Sequence, residues 1–306
     1  YIVRNRALSS RLQIVKEDAE TGKVIPLAGF AFQIIDEAGQ PVVQETWYPA
    51  HETLDTFTTD ESGTVTLPQR LVAARYRLRE VAAQPPYLLA GEDIAFEVGD
   101  TTGSDAPLVT VRMGNRQATG TARITKRCSE DGDALAGAEF DIVAQEDVIS
   151  PDGTVRAVTG QVVDHVSTGE DGVAEVTGLS LGSGGARYAF VETKPPAGHV
   201  LDTTPVPFEV RYEDSETPCV SVEVEKKDAP TVVELDKTVM GEGTPLPGAT
   251  FELWRVDDEE SGETEPDSKK FTTDETGGVR IEHLEAGTYR LRESSAPAGV
   301  VTDPEG

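Results

Sequence analysis

Apolar and polar residues alternate along most of this chain, in short runs such as "TARITKRC" from Thr121, "ARYAFVET" from Ala186 and "VSVEVE" from Val220. A period of two sends successive side chains to opposite faces of an extended strand. Each run therefore predicts a strand with one buried face and one wet face. The runs are rich in Val, Thr, Phe and Tyr, and Gly, Asp, Pro and Ser interrupt them as turn formers do. No window carries a helical apolar stripe over three turns. The pattern predicts an all-β chain of antiparallel sandwiches or partly open barrels.

The runs recur in order. "LAGFAFQI" from Leu27 aligns with "LAGAEFDI" from Leu135 and "LPGATFEL" from Leu246. "TTDESGTVTL", "STGEDGVAEV" and "TTDETGGVRI" follow, each an acidic turn closed by glycine before a strand, and then "ARYRLREVAAQPPY", "ARYAFVETKPPAGH" and "GTYRLRESSAPAGV". Each set is led by a lysine, Lys16, Lys126 and Lys237, and these stand 110 and 111 residues apart. That is a domain-sized period, so the chain reads as a tandem array. The expected domains span 11–117, 118–230 and 231–306, with short junctions near 117–121 and 229–231 that imply a semi-rigid rod. The third is expected to lack its closing strand, and residues 1–10 to be the closing strand of a preceding repeat. The chain thus reads as a segment of something longer.

Charge narrows the functional classes. The 306 residues carry a net charge of -28 and a pI near 4.4, which repels phosphate backbones and anionic membranes. Neither nucleic acid nor membrane insertion is expected, and no apolar run is long enough to span a bilayer. Cys128 and Cys219 have no His or Cys companions at metal-ligand spacing. Free thiols are the expectation, with a disulfide between them as the alternative. No GxSxG or HExxH pattern is present, so neither an enzyme with turnover nor a cofactor is expected.

The chemistry-bearing residues repeat as well. Lysine heads each repeat in a chain that otherwise prefers arginine, 18 to nine. Glu80, Glu192 and Glu293 close the third shared segment, in phase with the apolar residues Leu78, Phe190 and Leu291. Asn115 and Asp228 end the last strands of the first two repeats, 35 and 36 residues beyond the glutamates. A buried lysine loses its proton more readily and becomes a nucleophile, which a guanidinium cannot do. A buried glutamate has its pKa raised and can carry a proton.

Through "KRCSEDGDALAGAEFDI", "YAFVETKPPAGH" and their counterparts, the chain resembles the Cna B-type domains of Gram-positive surface adhesins and pilins, also called SpaA-type prealbumin-like domains. The resemblance implies Ig-like or prealbumin-like sandwiches in which first and last strands run parallel. It also implies spontaneous isopeptide bonds, Lys16 with Asn115 under Glu80 and Lys126 with Asp228 under Glu192, and no true enzyme activity. "AAQPPY" departs from the usual "APxGY" only in a loop. The implied role is a stalk segment of an adhesin or minor pilin, extracellular and anchored to the cell wall outside this segment, with neighbouring repeats as partners. "WYPAHE" lacks the lysine of a pilus-shaft linkage motif. The third repeat has Lys237 and Glu293, with no acceptor at the matching interval. Asn5 stands eleven residues before Lys16, as Asn115 does before Lys126, so a second molecule's Asn5 strand is an expected partner for Lys237.

The rival role is a module that grips a host protein or glycan through inserted loops. Trp47, Tyr48 and His51 would form its surface, although a hydrophobic flap over a sandwich edge is the plainer expectation. The acidic run from Asp257 to Asp267 lacks the ordered alternation of a calcium loop and reads as a solvated loop, without a metal.

Overall fold

The structure is a computed structural model and describes residues 8–48, 50–99, 108–256 and 268–301. Every helix or strand among them is a β-strand. The first unit runs β1 (Ser9–Asp18), β2 (Ala31–Ile35), β3 (Gln44–Thr46), β4 (Glu52–Leu54), β5 (Phe57–Thr58), β6 (Thr64–Thr66), β7 (Leu71–Val72), β8 (Ala74–Ala82), β9 (Ile94–Val98) and β10 (Leu108–Asn115). One sheet has the order β10-β1-β6, with β7 also on β1, and the other β5-β2-β8-β9. Leu12 and Ile14 from the first sheet and Phe32, Ile34 and Leu78 from the second close one apolar core between them. This is the sandwich that alternation predicts.

The second unit repeats the plan with β11 (Thr119–Cys128), β12 (Glu139–Ala144), β13 (Val148–Ile149), β14 (Val155–Ala157), β15 (Val162–Ser167), β16 (Val173–Ser180), β17 (Gly185–Lys194), β18 (Val206–Arg211) and β19 (Cys219–Asp228). Its sheets are β16-β11-β19 and β15-β12-β17-β18. The third has β20 (Val232–Asp236), β21 (Thr250–Arg255), β22 (Lys269–Thr272), β23 (Gly278–Glu282) and β24 (Tyr289–Ser295), in sheets β20-β23 and β22-β21-β24. Among the described residues β20 has one ladder partner, whereas β1 and β11 each also have a parallel one. Asn5 and the run from Asp257 to Asp267 lie outside the described residues.

Two ladders matter most. β1 runs parallel to β10, with Asp18 opposite Asn115, and β11 runs parallel to β19, with Cys128 opposite Asp228. First and last strands of the first two units are thus neighbours, and all other ladders among the described residues are antiparallel.

Polar contacts join the units. The carboxyl of Asp18 accepts hydrogen bonds from the Tyr87 hydroxyl (3.1 Å) and the Gln117 amide (2.6 Å), and these two residues accept in turn from the second unit, Gln117 from Ser150 (3.2 Å) and Tyr87 O from the Tyr212 hydroxyl (3.1 Å). The tip of the β13–β14 hairpin reaches back to the first unit, where Thr21 donates to Asp152 (2.6 Å), Lys23 to Thr154 (2.9 Å), and Glu20 pairs with Arg156 (2.9 Å). Between the second and third units Thr231 donates to the carbonyls of Gly198 (3.1 Å) and Leu284 (2.6 Å), and Arg280 pairs with Glu130 (3.1 Å).

The flap expected at Trp47 is not formed. Trp47 is 71% and Tyr48 89% exposed, so they cover no sandwich edge. Short polar strands on either side, held to Gln69 through Gln44 and Glu45, carry the tip away from the core.

The β11–β19 ladder sets Cys219 opposite Thr119 and Cys128 opposite Asp228, nine residue steps apart, or about 30 Å at the usual strand rise. No disulfide spans that distance. Cys219 is exposed and Cys128 buried, so a thiol reagent is expected to label one site in the native chain and two after unfolding without reductant. Failure of both to label after unfolding would contradict this register.

Candidate functional site

The lysines are placed by their neighbours' glycines. The backbone N–H of Lys16 donates to Gly63 O (2.9 Å), that of Lys126 to Gly172 O (2.8 Å) and that of Lys237 to Gly277 O (2.8 Å). Each glycine has a positive φ, of 72°, 75° and 75°. A Cβ on Gly172 would stand 2.6 Å from Lys126 O, and one on Gly277 2.5 Å from Lys237 O. The acidic turn therefore has to end in glycine for the chain to lie this close to the lysine strand.

Alternation then turns each lysine inward. Lys16 and Lys126 are fully buried, with Nζ 5.2 Å from the Phe30 ring and 5.7 Å from the Phe140 ring respectively. In the first unit Lys16 Nζ contacts Asn115 Oδ1 and stands 3.1 Å from both Glu80 Oε1 and Met113 O. Glu80 Oε2 accepts from Asn115 Nδ2 (2.6 Å) and from the backbone of Ala90 (2.7 Å). In the second unit Lys126 Nζ contacts Asp228 Oδ1 and lies 3.0 Å from Glu192 Oε1. Glu192 Oε2 accepts from the backbone of Asp202 (2.9 Å), and the buried Asp228 Oδ2 has no hydrogen-bond partner.

Burial sets the protonation states. It brings the Lys16 amine down from 10.5 to about 8, against the opposing pull of Glu80. It holds the Glu192 carboxyl above the usual carboxylate range, an effect Asp228 reinforces and the Asp202 N–H and Lys126 oppose. In the first unit a lysine readied to lose its proton thus meets the amide of Asn115, and in the second a carboxyl held towards its protonated form stands beside the lysine and Asp228.

The third unit assembles only part of this. Lys237 Nζ is 3.0 Å from Glu293 Oε2, and its side chain is more than a quarter exposed. No Asn or Asp joins the pair among the described residues. The sequence reading missed three features. Ala90 and Asp202, each ten residues beyond its glutamate, clamp the second carboxylate oxygen. Lys226, buried at the end of β19, donates to the carbonyls of Asp202 and Thr204 and so fixes the clamp loop. Asp18, two residues past Lys16, holds Gln117, which accepts from Ser150 of the second unit, and lies 4.0 Å from Arg156. Backbone clamps leave no side-chain signature, and Lys226 and Asp18 have no counterparts in the other repeats.

A tandem array of sandwiches, two of them with a lysine, a glutamate and an amide or carboxyl closed in the core between first and last strands, defines the class of protein. The profile of the SpaA prealbumin-like fold domain matches residues 10–112, 120–228 and 231–305, and the chain belongs to that family. Comparison with curated proteins gave no significant match. Among solved structures, the TIE protein of Bacillus anthracis is similar at 23% identity and a TM-score of 0.57, over 97% of this chain and 46% of that one. The chain thus spans about half the length of that relative. BcpA, the major pilin subunit of Bacillus cereus, aligns at 16% identity and a TM-score of 0.41, over 97% and 91% of the two chains. The shaft pilin SpaA of Lactobacillus rhamnosus GG aligns at 17% and 0.28, over 74% and 98%. These are likenesses of fold.

Two outcomes follow from the lysine environment. Gly172→Ala is expected to destabilise the second unit by about 2–4 kcal/mol, through left-handed strain and the clash with Lys126 O. Gly153→Ala, at a φ of 79° with nothing within 4 Å of the added carbon, should cost only about 1–2 kcal/mol. Equal losses in denaturant titrations would refute the close-approach account. In Asn115→Ala, where Lys16 has no acceptor, the unfolded lysine (10.5) holds its proton above the folded one (about 8). Between those values the unfolded state binds more protons, so stability rises with pH, by about 2 kcal/mol from pH 8 to 10. A flat or falling melting temperature over that range would contradict it.

Proposed function

We propose that the chain is a structural stalk segment of a bacterial cell-surface adhesin or pilin, stiffened by spontaneous amide bonds from Lys16 to Asn115 and from Lys126 to Asp228. The observation that carries the reading is the twofold meeting, in a closed apolar core, of a lysine from the first strand, an amide or carboxyl from the last and a glutamate from a middle strand. Family membership and the resemblance to adhesin and pilin repeats support it. The neighbouring repeats are the partners, and the location is outside the cell.

In the reaction the neutral lysine amine attacks Cγ of Asn115 or Asp228. A C–N bond forms, and the C–Nδ2 bond of Asn115 or one C–O bond of Asp228 breaks. Glu80 or Glu192 takes the amine proton and delivers it to the leaving group: the amide nitrogen of Asn115 departs as ammonia, and Asp228, which has to enter as the neutral acid, loses its hydroxyl as water. The carboxyl ends as it began, and each domain reacts once. Proximity in a dry core supplies the effective concentration. Each bond removes loop-closure entropy from the unfolded chain, about 4–5 kcal/mol for loops of this length in the disulfide analogy, and no reductant opens it.

Lys237, without an acceptor among the described residues, stays an amine in this reading until a strand bearing one pairs with β20. The sequence nominates the Asn5 strand of a second molecule.

An intact mass is expected to fall short of the sequence mass by one ammonia and one water. Glu192→Ala should keep the fold and restore the water while leaving the ammonia loss intact, and Glu80→Ala should do the converse. An unmodified mass, or loss of water in Glu192→Ala, would refute the assignment.

A further inference from the structure

The glutamate of each closed cluster is held by a backbone N–H ten residues on, that of Ala90 for Glu80 and that of Asp202 for Glu192. The two loops that carry these donors are fixed in different ways. In the second unit the hold is internal. Lys226 stands opposite Lys126 in the β11–β19 ladder, two residues before Asp228. Its ammonium donates to the carbonyls of Asp202 and Thr204 (2.7 Å for the second) and lies 3.4 Å from the Asp202 carboxyl. A buried cation with these partners pins the loop from within the domain.

In the first unit Met113 takes that place, opposite Lys16 and two residues before Asn115. A thioether donates no hydrogen bond. A cleft of about 540 Å³ lies beside it, lined by the loop from Leu88 to Glu92 and by Met113, Asn115 and Arg116. Both loops share one bond to the end of their own last strand, Leu88 N–H to Arg116 O (2.9 Å) and Val200 N–H to Ala229 O (3.0 Å). The difference lies in what holds the residues that follow.

For the first unit that hold comes from the second. The Leu89 N–H donates to Ser215 O (2.9 Å), and Tyr87 O accepts from the Tyr212 hydroxyl (3.1 Å). Between them Leu88 packs against the apolar core of the second unit. Asp214 shapes the partner loop, its Oδ1 accepting from the backbone of Glu216 (2.9 Å) and Thr217 (2.8 Å) in an Asx turn that contains Ser215. Three consecutive residues, Tyr87, Leu88 and Leu89, are thus anchored on the neighbouring unit. The next N–H along the chain is that of Ala90, the one on Glu80.

We infer that the second unit governs amide formation in the first: its β18–β19 loop, docked on Tyr87, Leu88 and Leu89, sets the Ala90 N–H on Glu80. The second unit's own amide, with Lys226 in that role, forms without such help. The inference rests on the amide reading given above. Its physical route is the orientation of the proton carrier. With Oε2 held by Ala90, Glu80 keeps Oε1 at 3.1 Å from Lys16 Nζ. Released from that N–H, the carboxyl turns more freely and spends less time within reach of the amine and the leaving nitrogen. Tyr212 and Ser215 touch no reacting atom and act through Ala90 as positioning groups. Closure along the array is therefore ordered, the second unit reacting alone and the first once the two have docked.

The test follows both amides in one molecule. The 306-residue chain is made by cell-free synthesis, quenched in acid denaturant at intervals and digested, and mass spectrometry counts two branched peptides, Lys16 with Asn115 and Lys126 with Asp228. Tyr212→Phe with Asp214→Ala removes the hydroxyl and loosens the Asx turn, both in the second unit. It is expected to slow the first unit's branched peptide by at least about fivefold and to leave the second unit's at the wild-type rate. Lys226→Met, which copies Met113, should do the reverse. A general defect in the second unit would slow its own amide instead. A first amide that keeps its rate in the double variant, equal slowing of both, or a second amide that keeps its rate in Lys226→Met each overturns the inference and leaves the amide reading standing. A wild-type chain that yields neither branched peptide overturns the amide reading and the inference with it.

Discussion

A lysine held without water between the first and last strands is the constraint on which the first two domains depend. Desolvating an ammonium is expensive, and the cost is met here by a glutamate 3.0–3.1 Å away and an amide or carboxyl in contact. That demand reaches outward. It places the glutamate on the inward phase of β8 or β17 and requires a backbone donor ten residues later for the second oxygen. It also requires glycine where the acidic turn crosses behind the lysine. Conversion of the cluster to an amide would remove the charge that made it costly.

The polar cluster could be read from sequence because strand periodicity and repetition act together. A period of two assigns Glu80 and Glu192 to the same face as Leu78 and Phe190, and three appearances at a common interval make coincidence a poor account. Features present once offered neither signal. The Asp18 joint, the Lys226 support and the docking of β13–β14 emerge only when chain segments far apart in sequence meet. Trp47 and Tyr48 were expected to cover an edge because large aromatics usually bury themselves. Their hairpin is instead tied down through backbone and glutamine groups, which a hydrophobicity pattern does not register.

The two junctions have different character. Between the first and second units a hairpin reaches over and hydrogen bonds run from Asp18 through Gln117 to Ser150. Between the second and third, contacts among the described residues include Thr231 on Gly198 O, the Arg280–Glu130 pair and the tilted rings of His199 and His283.

Parallel pairing of first and last strands also decides where tension travels. A pull on the chain enters β1 at Ser9, reaches Lys16 and, once the amides exist, crosses to Asn115. It then follows the short stretch to Lys126, crosses to Asp228 and passes on. Residues 17–114 and 127–227 hang beside this route rather than within it. With both amides in place, stretching force would not lengthen the array by drawing out those two loops; the sandwiches would serve to assemble the ties, and covalent bonds along a thin thread would bear the strain.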